Sequence, residues 1–212
     1  MHRTHSLTLA LCAVLAGCGS APVTTAPFAP ALASATPVSN KSANVMLAAW
    51  VGDFGGTPAF DQMQIADLEP AVKAAIKAHL AQSDQIAQQP GAASFENTLV
   101  AMEKTGALIN RALVYFSIYS GNLSSPEFRK VQAKLSPVLA EYRNNITQNS
   151  ALFARVKSVY KGVEMASLRP DQRPLVTLVY DQFVRSGAEL SAEKAKRYAA
   201  IDTELAALYT KF

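Results

Sequence analysis

The stretch SPEFRKVQAKLSPVLAEYRNNI, residues 125–146, decides the fold. Phe128, Val131, Leu135, Val138, Tyr142 and Ile146 recur three or four positions apart, which places them on one face of an α-helix. Ser125 supplies a cap, and Pro126 follows at the first helical position, where a missing N–H has no intrahelical partner to lose. The period continues through Pro137, so that proline is expected to kink the helix and not to end it.

The same spacing extends in both directions. Upstream, Asp67 reads as an N-cap with Pro70 in the first turn, and Val72, Ile76, Leu80 and Ile86 follow until Gln89-Pro90-Gly91 stops the helix. Ser94 opens a second helix with Phe95, Leu99, Met102, Ile109, Leu113 and Phe116 inward, ending at Gly121-Asn122. Downstream, a helix starts near Asn149-Ser150 with Leu152, Phe153, Val156, Val159 and Tyr160. The next follows Pro170 with Leu175, Leu178, Val179 and Phe183, and stops at Gly187. Ser191 caps the last, whose stripe is Tyr198, Ile201, Leu205, Leu208 and Phe212. No segment alternates with a period of two for long enough to argue a strand. The expected fold is all-α, with antiparallel helices joined by short loops.

Ahead of these helices the composition changes. Residues 1–17 combine a charged start, a short apolar run from Leu7 to Ala16 and small residues at the end, a secretory signal too short to span a bilayer. Leu15-Ala16-Gly17-Cys18 fits a bacterial lipoprotein box, so Cys18 is the expected lipidation site, with several acyl chains making detachment from the bilayer slow. Gly19, where an Asp would retain the protein, points to the outer membrane and a periplasm-facing protein of the bacterial envelope. Cys12 leaves with the leader, so the mature chain has no free thiol. Residues 18–57 read as the lipidated Cys followed by a flexible stalk rich in Ala, Pro, Ser and Thr. Within it, Val45 to Val51, with Trp50, is expected to form a short docked helix, and Gly52 to Pro58 a hinge. Residues 58–212 are the helical domain.

Site chemistry is sparse. The chain carries +4 with only 17% charged residues, and the densest basic cluster, Lys194, Lys196 and Arg197, reads as a solvated helix face. Nucleic-acid binding is not expected. After the leader one histidine remains, His79, with no second histidine or cysteine at ligand spacing; it reads as a packing or solvent residue. There is no G-x-S-x-G, no cysteine to pair with His79, and no phosphate-loop spacing in Gly52-Asp53-Phe54-Gly55-Gly56. Glu96, Glu103, Asp181, Glu189, Glu193 and Glu204 are scattered, with Glu193–Arg197 and Glu189–Lys196 as possible surface pairs. No residue of this chain is assigned a catalytic, cofactor-binding or metal role.

The order of several segments is nevertheless specific. Pro58-Ala59-Phe60-Asp61, Glu69-Pro70-Ala71, Phe95-Glu96-Asn97-Thr98 and Glu103-Lys104-Thr105-Gly106 resemble the start of the thimet oligopeptidase-like zinc metallopeptidases. Leu152-Phe153-Ala154-Arg155-Val156, Phe183 to Ala188 and the ending from Leu205 to Phe212 are similar to its peptidyl-dipeptidase branch. The resemblance covers roughly 58–212 and implies the helical N-terminal part of such an enzyme, which roofs a cleft admitting only short, unfolded peptides. It implies zinc held by an H-E-x-x-H motif that these residues lack, and a parent releasing C-terminal dipeptides, with cleavage at internal bonds, as in oligopeptidase A, the alternative within the family. A final apolar stripe without a cap leads to the expectation that a C-terminal catalytic domain is missing and that the chain alone is inactive. A non-catalytic helical lipoprotein that binds a partner is the competing reading.

Overall fold

Short apolar repeats and well-placed caps convert into eight α-helices in the computed structural model, which describes residues 44–211. The predicted signal peptide, Cys18, the stalk up to residue 43 and Phe212 lie outside the described residues. The helices are α1 (Ile65–Ala87), α2 (Ala101–Glu103), α3 (Ala107–Gly121), α4 (Pro126–Thr147), α5 (Ser150–Lys161), α6 (Glu164–Ser167), α7 (Gln172–Arg185) and α8 (Ala192–Tyr209). A π-helical segment, Phe95–Val100, leads directly into α2. Among the described residues there is no strand, only an isolated bridge between Val51 and Thr57. No described helix is long and apolar enough to cross a membrane.

The residues that open this reading form the largest core. Phe128 and Leu135 of α4 are fully buried beside Leu68 and Val72 of α1 and Ile109 and Tyr115 of α3. Ser125 caps α4 as expected, its Oγ accepting from the Phe128 N–H at 3.1 Å, and the helix runs unbroken through Pro137. Two smaller cores follow. Ile86, Leu152, Phe153, Val156 and Phe183 join the end of α1 to α5 and α7. Phe95, Leu99, Val159, Leu168 and Val176 join the π-helical segment to α5 and α7. Helix α8 packs on α4 but contributes no fully buried side chain.

Four expectations need correction. First, α1 begins at Ile65 after an extended Gln64, so Asp67 lies in the first turn, where its charge favours the helix N-terminus, and Pro70 lies inside the helix. Second, the helix opened by Ser94 does not run to Gly121. It breaks at Lys104–Gly106, where Gly106 takes φ +78 and α3 restarts. Third, the docked helix expected within residues 45–51 is shorter. Val45–Leu47 forms one 3-10 turn instead of a helix to Val51, but Met46 is fully buried in the main core and the Asn44 amide donates to the Asp67 carbonyl at 2.7 Å. Fourth, α7 faces inward through Val176 and Phe183, leaving Leu175 and Leu178 exposed. A four-residue helix, α6, appears where no helix was expected.

Candidate functional site

The two groups of motif residues meet at one buried junction. Ser94 and Asn97 cap the π-helical segment reciprocally: the Asn97 N–H donates to Ser94 Oγ at 3.1 Å and the Ser94 N–H to Asn97 Oδ1 at 2.8 Å. Thr98 Oγ1 also donates to Asn97 Oδ1, at 3.0 Å. Arg155 reaches the same oxygen from α5 at 2.8 Å, and its other terminal nitrogen donates to the carbonyls of Gln89 and Gly91 at 3.2 and 3.4 Å. Only 7% of Arg155 is exposed, and no carboxylate lies within ion-pairing distance among the described residues. Its charge is therefore met by carbonyl and amide dipoles. Glu164 of α6 closes the junction by accepting from the Phe95 N–H at 3.0 Å. Ser94-x-x-Asn97 carries the spacing of a capping box, a legible signal. Nothing in the sequence marks Arg155 as buried.

A second polar junction holds the Glu103–Gly106 motif. His79 of α1 is half-buried between Tyr142 of α4 and Thr105, with Nδ1 2.5 Å from the Tyr142 hydroxyl and Nε2 3.1 Å from Thr105 Oγ1. The Gly106 N–H donates to Gln82 Oε1 at 3.1 Å. His79 is thus a bridging residue of the packing. A Cβ on Gly106 would stand 3.2 Å from the His79 ring, on a backbone already in the left-handed region. Gly106→Ala should therefore lower the free energy of unfolding by about 1–2 kcal/mol, read by urea denaturation.

Glu69 of the Glu69–Ala71 motif and Glu189, just past the Phe183–Ala188 motif, carry surface pairs. Glu69 binds Lys73 at 2.6 Å and Lys134 of α4 at 3.5 Å, and its carboxyl is held below the ordinary range chiefly by the hydrogen bond from Lys73. Glu189 pairs not with Lys196 but with Lys157 at 2.7 Å, and also accepts from the Tyr180 hydroxyl at 3.1 Å. The Glu193–Arg197 pair does not form among the described residues. Such exposed pairs contribute little to stability.

Between these junctions lies an apolar groove of about 550 Å³ lined by the π-helical segment, α2, the end of α4 and α7. Phe95, Leu99, Met102, Ile146, Val179 and Phe183 form its floor and walls, and Leu175 stands at its edge. Beyond it, Leu178 is 63% exposed, and along α8 Ile201, Leu205, Leu208 and Tyr209 are all at least 40% exposed. Among the described residues no three His, Cys, Asp or Glu side chains gather where they could hold a metal ion. Among the described residues the geometry offers apolar surface and polar helix junctions.

Comparison with known proteins assigns the lineage. No family model matches the chain. The dipeptidyl carboxypeptidase of Salmonella typhimurium is 32% identical over 155 residues, covering 73% of this chain and 23% of that protein. That of Escherichia coli is 30% identical over the same shares. The chain is a homologue of these peptidases. Oligopeptidase A of Haemophilus influenzae, at 27% over 157 residues, places the homology in the wider thimet oligopeptidase group. The peptidase homology spans less than a quarter of the length of each of these relatives. Within it, the junctions at Arg155 and His79 account structurally for the motif segments Phe95–Thr98, Leu152–Val156 and Glu103–Gly106.

Proposed function

We propose that this helical region belongs to a zinc metallopeptidase that releases C-terminal dipeptides from short, unfolded peptides, held at the bacterial envelope by a lipid on Cys18. The observation that carries the reading is the 155-residue similarity to two dipeptidyl carboxypeptidases. The residues described here do not suit a zinc ion. Zinc, its H-E-x-x-H ligands and the catalytic domain would come from polypeptide beyond these 212 residues, and no catalytic step is assigned to this chain. Its share of the work is structural: a rigid helical body whose exposed apolar faces on α7 and α8 suit cover by that domain. The lipoprotein box at Leu15–Cys18 supports an activity facing the periplasm, at the outer membrane.

The test uses the protein encoded by the complete reading frame. It should release dipeptides from peptides with a free C-terminal carboxylate, leave amidated peptides intact, lose activity to a chelator and regain it with zinc. Cleavage of amidated peptides would instead indicate internal cutting, the activity of the oligopeptidase A branch. A frame with no H-E-x-x-H would overturn the enzyme reading in favour of a non-catalytic lipoprotein. Cys18→Ala should move the protein from the membrane fraction to the soluble one without altering its peptide preference.

A further inference from the structure

The hydrogen bonds around His79 have a fixed direction. Thr105 Oγ1 has one hydrogen, and it is committed to the Met102 carbonyl at 2.6 Å. Toward His79 Nε2, at 3.1 Å, the hydroxyl oxygen can therefore only accept, which requires the proton of the neutral ring to sit on Nε2. Nδ1 is then a lone pair, and the Tyr142 hydroxyl, 2.5 Å away, must donate to it. Donation runs from Tyr142 to His79 to Thr105 and ends on the Met102 carbonyl, crossing from α4 through α1 to the end of α2.

Protonation breaks that order. A proton on Nδ1 would face the Tyr142 hydrogen, and the hydroxyl would have to turn while its oxygen has no other hydrogen-bond partner among the described residues. The surroundings offer the cation no compensation. From α4 it meets Tyr142, with the positive Arg143 beyond. From the turn between α2 and α3 it meets Thr105 and Gly106, flanked in sequence by Glu103 and Lys104, and α1 itself adds the neutral Gln82. No carboxylate is within ion-pairing distance of the ring among the described residues. Burial accordingly pushes the imidazole below its ordinary value.

We propose that His79 is an acid-sensitive latch: neutral, with its proton on Nε2, it ties α1 to α4 and to the turn at Thr105-Gly106, and protonation loosens that turn. Met102 and Glu103, at the head of the turn, line the apolar groove, so acid would act on the groove's edge. The unfolded chain takes up the proton at a higher pH than the folded one. The latch's contribution is therefore complete above about pH 6.5, the ordinary imidazole value, and is lost as pH falls through the lower folded value. The inference does not depend on the peptidase reading.

The test is nitrogen NMR of the full chain labelled at histidine, with His79 assigned by difference against His79→Gln. Nε2 should carry the proton at neutral pH, and the ring should titrate below a free histidine. Tyr142→Phe, which removes the donor but keeps the imidazole, should move that titration upward. Between about pH 7.5 and about pH 5 the thermal midpoint should fall, and in His79→Gln the fall should be at least halved. A proton on Nδ1, a titration unmoved by Tyr142→Phe, or an equal acid-induced fall in His79→Gln would each overturn the latch.

Discussion

Phe128→Ala should lower the free energy of unfolding by about 3–5 kcal/mol, read as a shift of the urea midpoint at constant slope. The ring is fully buried, and its centroid lies 5.6 Å from those of Phe116 and Tyr119 on α3. Its backbone N–H is also the donor to the Ser125 cap, so the side chain anchors the very turn at which α4 begins. Removing the ring forfeits its transfer energy and leaves a void that three helices must close around. Phe128→Leu, which fills most of the space, should lose less than half as much. Leu178→Ala, at a side chain 63% exposed, should stay within about 0.5 kcal/mol of the parent. Equal losses at Phe128 and Leu178 would mean that the main core is not centred where the structure places it.

Helix α4 was the most legible element because three independent signals agreed: a cap at Ser125, a proline at the first position, and an apolar period from Phe128 to Ile146. Between Ser94 and Gly121 a backbone turn displaces the reading. Carrying the period from Phe95 unbroken to Phe116 put Leu113 and Phe116 inward, and both do pack against the core. It missed Tyr115, which is fully buried and accepts the Ala59 N–H at 2.9 Å. The cause is the left-handed turn at Gly106, which restarts the helical phase so that Ile109, Ala112 and Tyr115 become the deepest face of α3. A lone glycine in an apolar run does not announce which way it will turn. On α7, hydrophobicity alone points Leu175 and Leu178 inward, whereas partner geometry selects the face of Val176, Val179 and Phe183. The candidate site was legible only as an order of motifs. What those motifs do, a capping box pinned by a buried guanidinium and a turn held by an imidazole, depends on contacts across 58 and 26 positions, respectively, that periodicity cannot reveal.

The second large effect is expected at that guanidinium. Arg155→Met should cost about 2–3 kcal/mol, although two influences oppose each other. Methionine removes a buried charge that has no carboxylate partner and an Nε without any acceptor, and both changes favour the variant. Against this, it removes charge-assisted hydrogen bonds to the carbonyls of Gln89 and Gly91 and to Asn97 Oδ1. Each such bond is worth about 1.5–3 kcal/mol, reduced where water can replace the lost donor. The two carbonyls lie toward the surface and can recover some of the loss from solvent, while Asn97 Oδ1 keeps Ser94 and Thr98 as donors, so the total falls well short of three full bonds. Arg155→Lys should recover little, because a single ammonium cannot span acceptors on both sides of the junction. If the junction works as a unit, a cycle combining Arg155→Met with Asn97→Ala should give a coupling energy of about 1–2 kcal/mol. Simple additivity would mean that the two motif groups touch without depending on each other, and the structural account of why these segments occur together would fail.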